Sequence, residues 1–78
     1  MLNKEIYRQG MQVFEAKYIN LEEDEYKEVM EDMAWNAFYN DNHKVNSIAE
    51  GYFLISEVYG DKEANKYLME NTTIERVA

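Results

Sequence analysis

Residues 43–59, HKVNSIAEGYFLISEVY, form the most apolar helical pattern in this chain of 78 residues. The main apolar stripe consists of Val45, Ile48, Ala49, Tyr52, Ile55 and Tyr59. Phe53, Leu54 and Val58 widen that stripe over most of the helix circumference. A helix that is apolar nearly all round is usually buried at the centre of a domain. The sequence therefore predicts a central helix here, with other helices packed around it.

Three further helices are expected around this one, at about residues 3–18, 21–39 and 61–71. Each has apolar residues at spacings that place them on one helix face. These faces consist of Ile6, Tyr7, Met11, Phe14 and Tyr18 in the first helix, Tyr26, Val29, Met30, Met33 and Ala37 in the second, and Ala64, Tyr67 and Leu68 in the short fourth. Gly10 lies beside the first face and is expected to permit close helix packing.

Helix ends are expected at capping and turn-forming residues. Asn20, followed three residues later by Glu23, has the pattern of a capping box at the start of the second helix. The polar cluster at residues 40–42 is expected to end that helix and to cap the third. Gly60 suits the end of the third helix, and Asp61 suits the cap of the fourth. The sequence leaves open whether residues 72–78 pack or fray.

Composition favours a single all-α domain over residues 1–78. The chain has no proline, three glycines and no cysteine, so helix breakers are few and disulfides are excluded. Hydrophobic residues make up 46% of the chain, which supplies the core that so short a chain needs. We therefore expect a small compact bundle of three longer helices and a short fourth. A monomer and a homodimer both remain open, because small chains often gain core by self-association.

Residues 22–32, EEDEYKEVMED, contain seven carboxylates and one lysine. The first acids lie where the helix dipole favours negative charge. At about 100° per residue, Asp24, Glu28, Glu31 and Asp32 lie opposite the apolar side of the helix. Like-charged neighbours four residues apart cost roughly 0.2–0.5 kcal/mol per pair. Such a face serves either solubility or the recognition of a basic partner.

Trp35 projects to the same side of the second helix as these carboxylates. An apolar anchor within a charged surface is the composition of a binding hot spot. Coverage of Trp35 by the third or fourth helix, or by a second subunit, is the alternative, and Phe38 favours it by widening the apolar region. The expected partner-binding residues are Asp24, Glu28, Glu31, Asp32 and Trp35.

Few residues are suited to catalysis or metal binding. His43 is the only histidine, and Ser47 four residues later shares its helical face, but no oriented base or oxyanion site accompanies the pair. Residues 41–46 lack the central glycine and alternating ligands of a calcium loop. Met30, Met33 and Tyr26 are expected in the core rather than in a Met-rich groove. We expect no catalytic residue, no metal site, no cofactor and no enzymatic activity.

No segment has the roughly 18 consecutive apolar residues of a membrane helix, and the N-terminus lacks the apolar run of a secretory signal. Together with the absence of cysteine, these features favour the cytoplasm. The net charge of −8 argues against direct contact with nucleic acid or an anionic membrane, because both would repel the chain. A basic protein, in particular one that itself binds nucleic acid, is the expected partner.

In size, charge and lack of catalytic residues, the chain resembles the small acidic proteins that phages and mobile elements encode against host defences. No specific motif carries this resemblance. Several of those proteins act as decoys for DNA. The resemblance implies a non-enzymatic inhibitor or modulator of a nucleic-acid-handling protein, acting in the host cytoplasm. The alternative is a small structural or regulatory subunit or adaptor that assembles through apolar helix faces.

Overall fold

Four α-helices make up the fold in a computed structural model that describes residues 2–39, 45 and 47–77, with side chains described up to residue 71. They are α1 (Lys4–Tyr18), α2 (Glu23–Phe38), α3 (Ile48–Tyr59) and α4 (Asp61–Val77). The described residues form no strand. The predicted all-α bundle is confirmed.

Helix α3 lies at the centre of the bundle and packs against each of the other three helices. Residues 50–56 are buried without interruption, as expected for a helix enclosed on several sides. Two clusters of buried side chains meet on it: Phe14, Met33, Ala34, Phe53 and Leu54 in one, and Ala37, Tyr52, Ile55, Ala64 and Tyr67 in the other. The prediction of a central third helix is confirmed, and so is the placement of Met33 in the core.

Two glycines let neighbouring helices approach α3 closely. At Gly10, an added Cβ would collide with the carbonyl oxygen of Ala49 and lie 2.8 Å from the Cβ of Phe53. At Gly51, an added Cβ would lie 2.6 Å from the Cζ of Tyr67 in α4. Cβ atoms essentially never approach other atoms so closely. Gly10 faces the backbone of α3, so this position needs glycine, whereas a Cβ at Gly51 would require the Tyr67 side chain to shift. The packing role expected for Gly10 is confirmed.

Two predicted helix starts are wrong. Helix α2 begins at Glu23 with Glu22 as its N-cap, because Asn20 belongs to the turn that follows α1. Glu22 makes no capping hydrogen bond, so the three acids of the first turn stabilise this end through the helix dipole. Helix α3 begins at Ile48 rather than at residue 43, because the Ser47 hydroxyl caps it by accepting the Glu50 N–H at 3.2 Å. The cluster at residues 40–42 and His43 lie outside the described residues.

Gly60 ends α3 as expected, with a positive φ of 98°. Its N–H donates to the carbonyl oxygens of Ile55 at 3.1 Å and Ser56 at 3.2 Å. Helix α4 starts at Asp61 itself, so Asp61 is its first residue rather than its cap. This helix continues past residue 71 to Val77, because neither proline nor glycine follows Gly60 to stop it.

A buried ion pair joins α1 to α3. Glu50 is fully buried, and its Oε2 lies 2.8 Å from the Nζ of Lys17, whose side chain is 28% exposed. Lys17 also donates to Oε1 at 3.1 Å. A carboxylate removed from water needs such a partner, because an uncompensated buried charge costs several kcal/mol. Burial raises the pKa of Tyr67, and the nearby charge of Glu50 raises it further.

Tyr52 connects the N-terminus and α4 to the central helix. Its hydroxyl accepts the Asn3 N–H at 2.7 Å and donates to the Asn65 Oδ1 at 2.8 Å. The ring is fully buried, so these bonds satisfy a polar group that water cannot reach. The central helix therefore fixes its neighbours by polar contacts as well as by packing.

Candidate functional site

Helix α2 divides the expected site residues from the core. Met33, Ala34 and Ala37 are buried against α3, which fixes the rotation of the helix. The opposite side carries Asp24, Glu28, Glu31, Asp32 and Trp35, all of them exposed. We refer to these five residues as the outer face of α2. The structure thus places every sequence-predicted site residue on one solvent-facing surface.

The outer face is strongly negative because α2 contains only one basic residue, Lys27. Its Nζ lies 3.8 Å from the Glu23 carboxylate, and both side chains are mostly exposed. Glu23 is not part of the outer face, so this ion pair neutralises none of the four carboxylates of that face. The last turn of α2 has no basic residue either. The four carboxylates therefore present a field of one sign to an approaching partner.

Trp35 is 55% exposed, and Tyr39 at the end of α2 is 59% exposed. Their ring centroids lie 4.5 Å apart. The ring of Tyr39 also contacts Phe38 at 5.1 Å, and Phe38 stacks on Tyr59 of α3 at 4.5 Å. Phe38 is partly buried, but the broader burial that it favoured does not extend to Trp35 within this chain. Trp35 stays accessible, supported from one side by a row of aromatic rings.

A cleft borders the outer face on the side toward α1. Tyr18, Glu28, Val29, Asp32 and Met33 line it, and we call it the α1–α2 cleft. It is open to solvent and has a volume of about 400 Å³. Tyr18 and the cleft were not anticipated from the sequence, because Tyr18 reaches α2 only through the packing of two helices. Helical phase within α2 does place Glu28 and Asp32 beside Val29.

A second group of ionisable side chains lies where α1, α2 and α3 meet. The Tyr7 hydroxyl is close enough to the Glu57 carboxylate for that charge to act on it, and the Tyr26 hydroxyl donates to Glu15 Oε2 at 3.5 Å. Burial, followed by the Glu57 carboxylate, raises the pKa of Tyr7 to about 12. Burial and Glu15 raise the pKa of Tyr26. Hydroxyls of this kind are hydrogen-bond donors at neutral pH and poor bases.

Alkaline titration followed by tyrosinate absorbance should show Tyr7 ionising near pH 12. The folded state holds this proton more tightly than an ordinary tyrosine of pKa about 10, so the associated stability is present below pH 10 and is lost as the pH rises toward 12. Tyr7→Phe should remove the step and identify it. Glu57→Gln should move the pKa of Tyr7 back toward 10; an unchanged titration would contradict the contact.

The described residues contain no group of three or more His, Asp or Glu side chains arranged to hold a metal ion. The Ser47 hydroxyl accepts the Glu50 N–H as the cap of α3, and His43 lies outside the described residues. None of the helices, over the residues described, is long and apolar enough to cross a membrane.

The negative field at Trp35 should be measurable by quenching its fluorescence, because Trp35 is the only tryptophan. Relative to a neutral tryptophan amide, we expect caesium to quench Trp35 about twofold better than iodide at low salt. Glu28→Gln with Glu31→Gln should reduce this preference, whereas Glu70→Gln on α4 should leave it unchanged. Equal relative quenching by the two ions in the wild type would contradict this electrostatic picture.

Comparison of the chain with protein-family models, curated proteins and solved structures finds no match.

Proposed function

We propose that this chain is a non-enzymatic acidic binding protein that inhibits or modulates a basic, nucleic-acid-handling protein in the cytoplasm. The observation that carries the proposal is the half-exposed Trp35 set among four exposed carboxylates on the outer face of α2. Bulk solubility requires charge but not an exposed tryptophan at its centre. Tryptophan is among the residues most enriched at binding hot spots.

The two components of the outer face have separate tasks in this proposal. The carboxylates attract a Lys- or Arg-rich surface from a distance and raise the association rate. Trp35 then loses water against the partner and slows dissociation. Neither task uses the core side of α2, so binding does not require the bundle to open.

The regular spacing of the carboxylates favours a partner that handles nucleic acid. Asp24, Glu28 and Asp32 repeat every four residues, so successive carboxylates lie about 6 Å apart along the helix axis. A linear array of negative charge is what a groove for a nucleic-acid strand is built to accept. The outer face would therefore occupy such a groove as a DNA mimic.

Charge reversal at Asp24, Glu28 and Glu31 to Lys tests the proposal. Wild-type protein immobilised as bait should retain a basic protein from its native cytoplasm at low salt and release it at high salt. The reversed variant should not retain it. A control with Glu5, Glu63 and Glu70 changed to Lys alters the net charge equally but leaves the outer face intact, and should still bind. Unchanged retention by the reversed variant would overturn the proposal.

A competition experiment tests the nucleic-acid aspect of the same proposal. Duplex DNA added to the purified complex should displace the chain from its partner, because both would occupy one basic surface. The alternative, an adaptor or homodimer assembled through apolar faces, predicts a salt-tolerant complex that DNA does not disturb. Persistence of the complex at high salt and with excess DNA would favour that alternative.

A further inference from the structure

We propose that the α1–α2 cleft receives an arginine side chain of the basic partner, which deepens and rests on the proposed function. The cleft combines an apolar floor with an acidic rim. Val29, Met33 and Tyr18 form the floor, and Glu28 and Asp32 stand at the rim toward the outer face. An opening of about 400 Å³ gives room for a long side chain to enter from solvent.

The floor is held in place before any partner arrives. The Tyr18 hydroxyl donates to the sulfur of Met33 at 3.4 Å, and the ring of Tyr18 packs 4.9 Å from that of Phe14 in the core. The Nζ of Lys17 lies 5.3 Å from the centre of the Tyr18 ring, but it is bound to the buried Glu50. Lys17 is therefore committed to the core rather than to the rim of the cleft.

The chemistry of the cleft selects a long cationic side chain. An aliphatic stem can cover the partly exposed Val29 and Tyr18, with the buried Met33 beneath them, while its charged head reaches the two rim carboxylates. An anion would be repelled, and a neutral ligand would remove the charged Glu28 carboxylate from water without supplying a cation. Charge complementarity together with the apolar floor thus favours a cationic side chain, lysine or arginine.

Arginine fits the two rim carboxylates better than lysine. Glu28 and Asp32 are four residues apart on one helix, which separates their Cβ atoms by about 5–6 Å. A guanidinium has donors on two edges in a fixed plane and can bridge two such carboxylates. An ammonium is a compact and more strongly hydrated charge, so it gains less from a partly apolar cleft.

Peptides of alternating Arg–Gly and of alternating Lys–Gly are the probes for this site. With methionine methyl groups labelled for NMR, the Arg–Gly peptide should shift the Met33 signal and leave the exposed Met69 on α4 unaffected. The Lys–Gly peptide should bind several-fold more weakly. Glu28→Gln with Asp32→Asn should weaken Arg–Gly binding by about tenfold, the equivalent of one strong charge-assisted hydrogen bond. Glu70→Gln is the control and should not weaken binding.

Two results would overturn the inference while leaving the proposed function intact. Equal binding of both peptides would contradict the selectivity for arginine, and a Met33 signal that does not respond to the peptide would show that the cleft is not the binding site.

The partner protein retained by the immobilised bait provides a second readout. Val29→Lys places a cation in the cleft and should weaken that complex; full-strength binding of the folded variant would contradict the inference. Loss of binding on reversal of Asp24, Glu28 and Glu31 reports separately on the outer face.

Discussion

Replacing Gly10 with alanine should lower the free energy of unfolding by about 3 kcal/mol. The added methyl group would collide with the Ala49 carbonyl oxygen, which belongs to the backbone of α3 and cannot rotate away. Helices α1 and α3 must then separate along their contact. Alanine gains about 1 kcal/mol of helix propensity over glycine, but this is smaller than the packing loss. For a domain of this size, such a loss is a large share of the total stability.

Urea denaturation followed by circular dichroism measures this effect. Gln9→Ala, at an exposed neighbouring position of α1, is the matched control and should change stability by less than about 0.5 kcal/mol. A Gly10→Ala variant as stable as the wild type would mean that helix propensity outweighs the contact. The two helices would then not cross with their backbones touching at Gly10.

Replacing Lys17 with methionine should cost about 3 kcal/mol of stability, because it leaves the Glu50 carboxylate buried without its cation. Methionine keeps the length of the aliphatic stem, so the loss reflects charge rather than volume. Lys27→Met is the matched control, since Lys27 is 68% exposed and lies 3.8 Å from Glu23, whose side chain is more exposed still. Exposed pairs of this kind contribute about 0–1 kcal/mol.

Adding Glu50→Gln to the Lys17 variant should recover much of the lost stability, because a neutral amide is less costly to bury than an isolated carboxylate. A thermal or urea series over the two single variants and the double variant gives the coupling between the two residues. If Lys17→Met costs no more than Lys27→Met, the pair is not the compensating contact that the structure indicates.

Much of the fold could be predicted because it depends on periodicity within single helices. The apolar pattern around Tyr52 and Ile55 identified α3 as the central helix, and Gly60 marked its end. The start of α3 was missed although Ser47 and Glu50 have the spacing of a capping box. The apolar stripe extends back to Val45, and this longer pattern favours an earlier helix start than the capping residues do. Pattern length is a weaker guide to a helix start than the cap itself.

The burial of Glu50 could not be predicted, because its partner Lys17 lies 33 residues earlier in the chain. Periodicity indicates which face of a helix is apolar, but it does not indicate which cation of another helix packs against a given carboxylate. The outer face of α2 was accessible to sequence reasoning for the opposite reason. Asp24, Glu28 and Trp35 lie on one helix, so their common direction follows from its geometry alone. The α1–α2 cleft needed Tyr18 from another helix and was missed.

The residues that stabilise the fold are separate from the outer face, where we propose that recognition takes place. Gly10, Gly51 and the ion pair of Glu50 secure the packing of α1 and α4 on α3. The outer face of α2 makes no contribution to the two buried clusters. Its like-charged neighbours, Asp24 with Glu28 and Glu28 with Asp32, slightly destabilise the helix. Reversing these charges should therefore change binding without unfolding the protein.

Trp35 fluorescence during titration with the purified partner tests the central claim most directly. The free protein should show the emission and quencher access of a tryptophan that is 55% exposed. Binding at low salt should shift that emission to the blue and protect Trp35 from acrylamide, and raising the salt should reverse both changes. A complex that forms while the emission and quencher access of Trp35 stay unchanged would contradict the claim that the outer face of α2 is the contact.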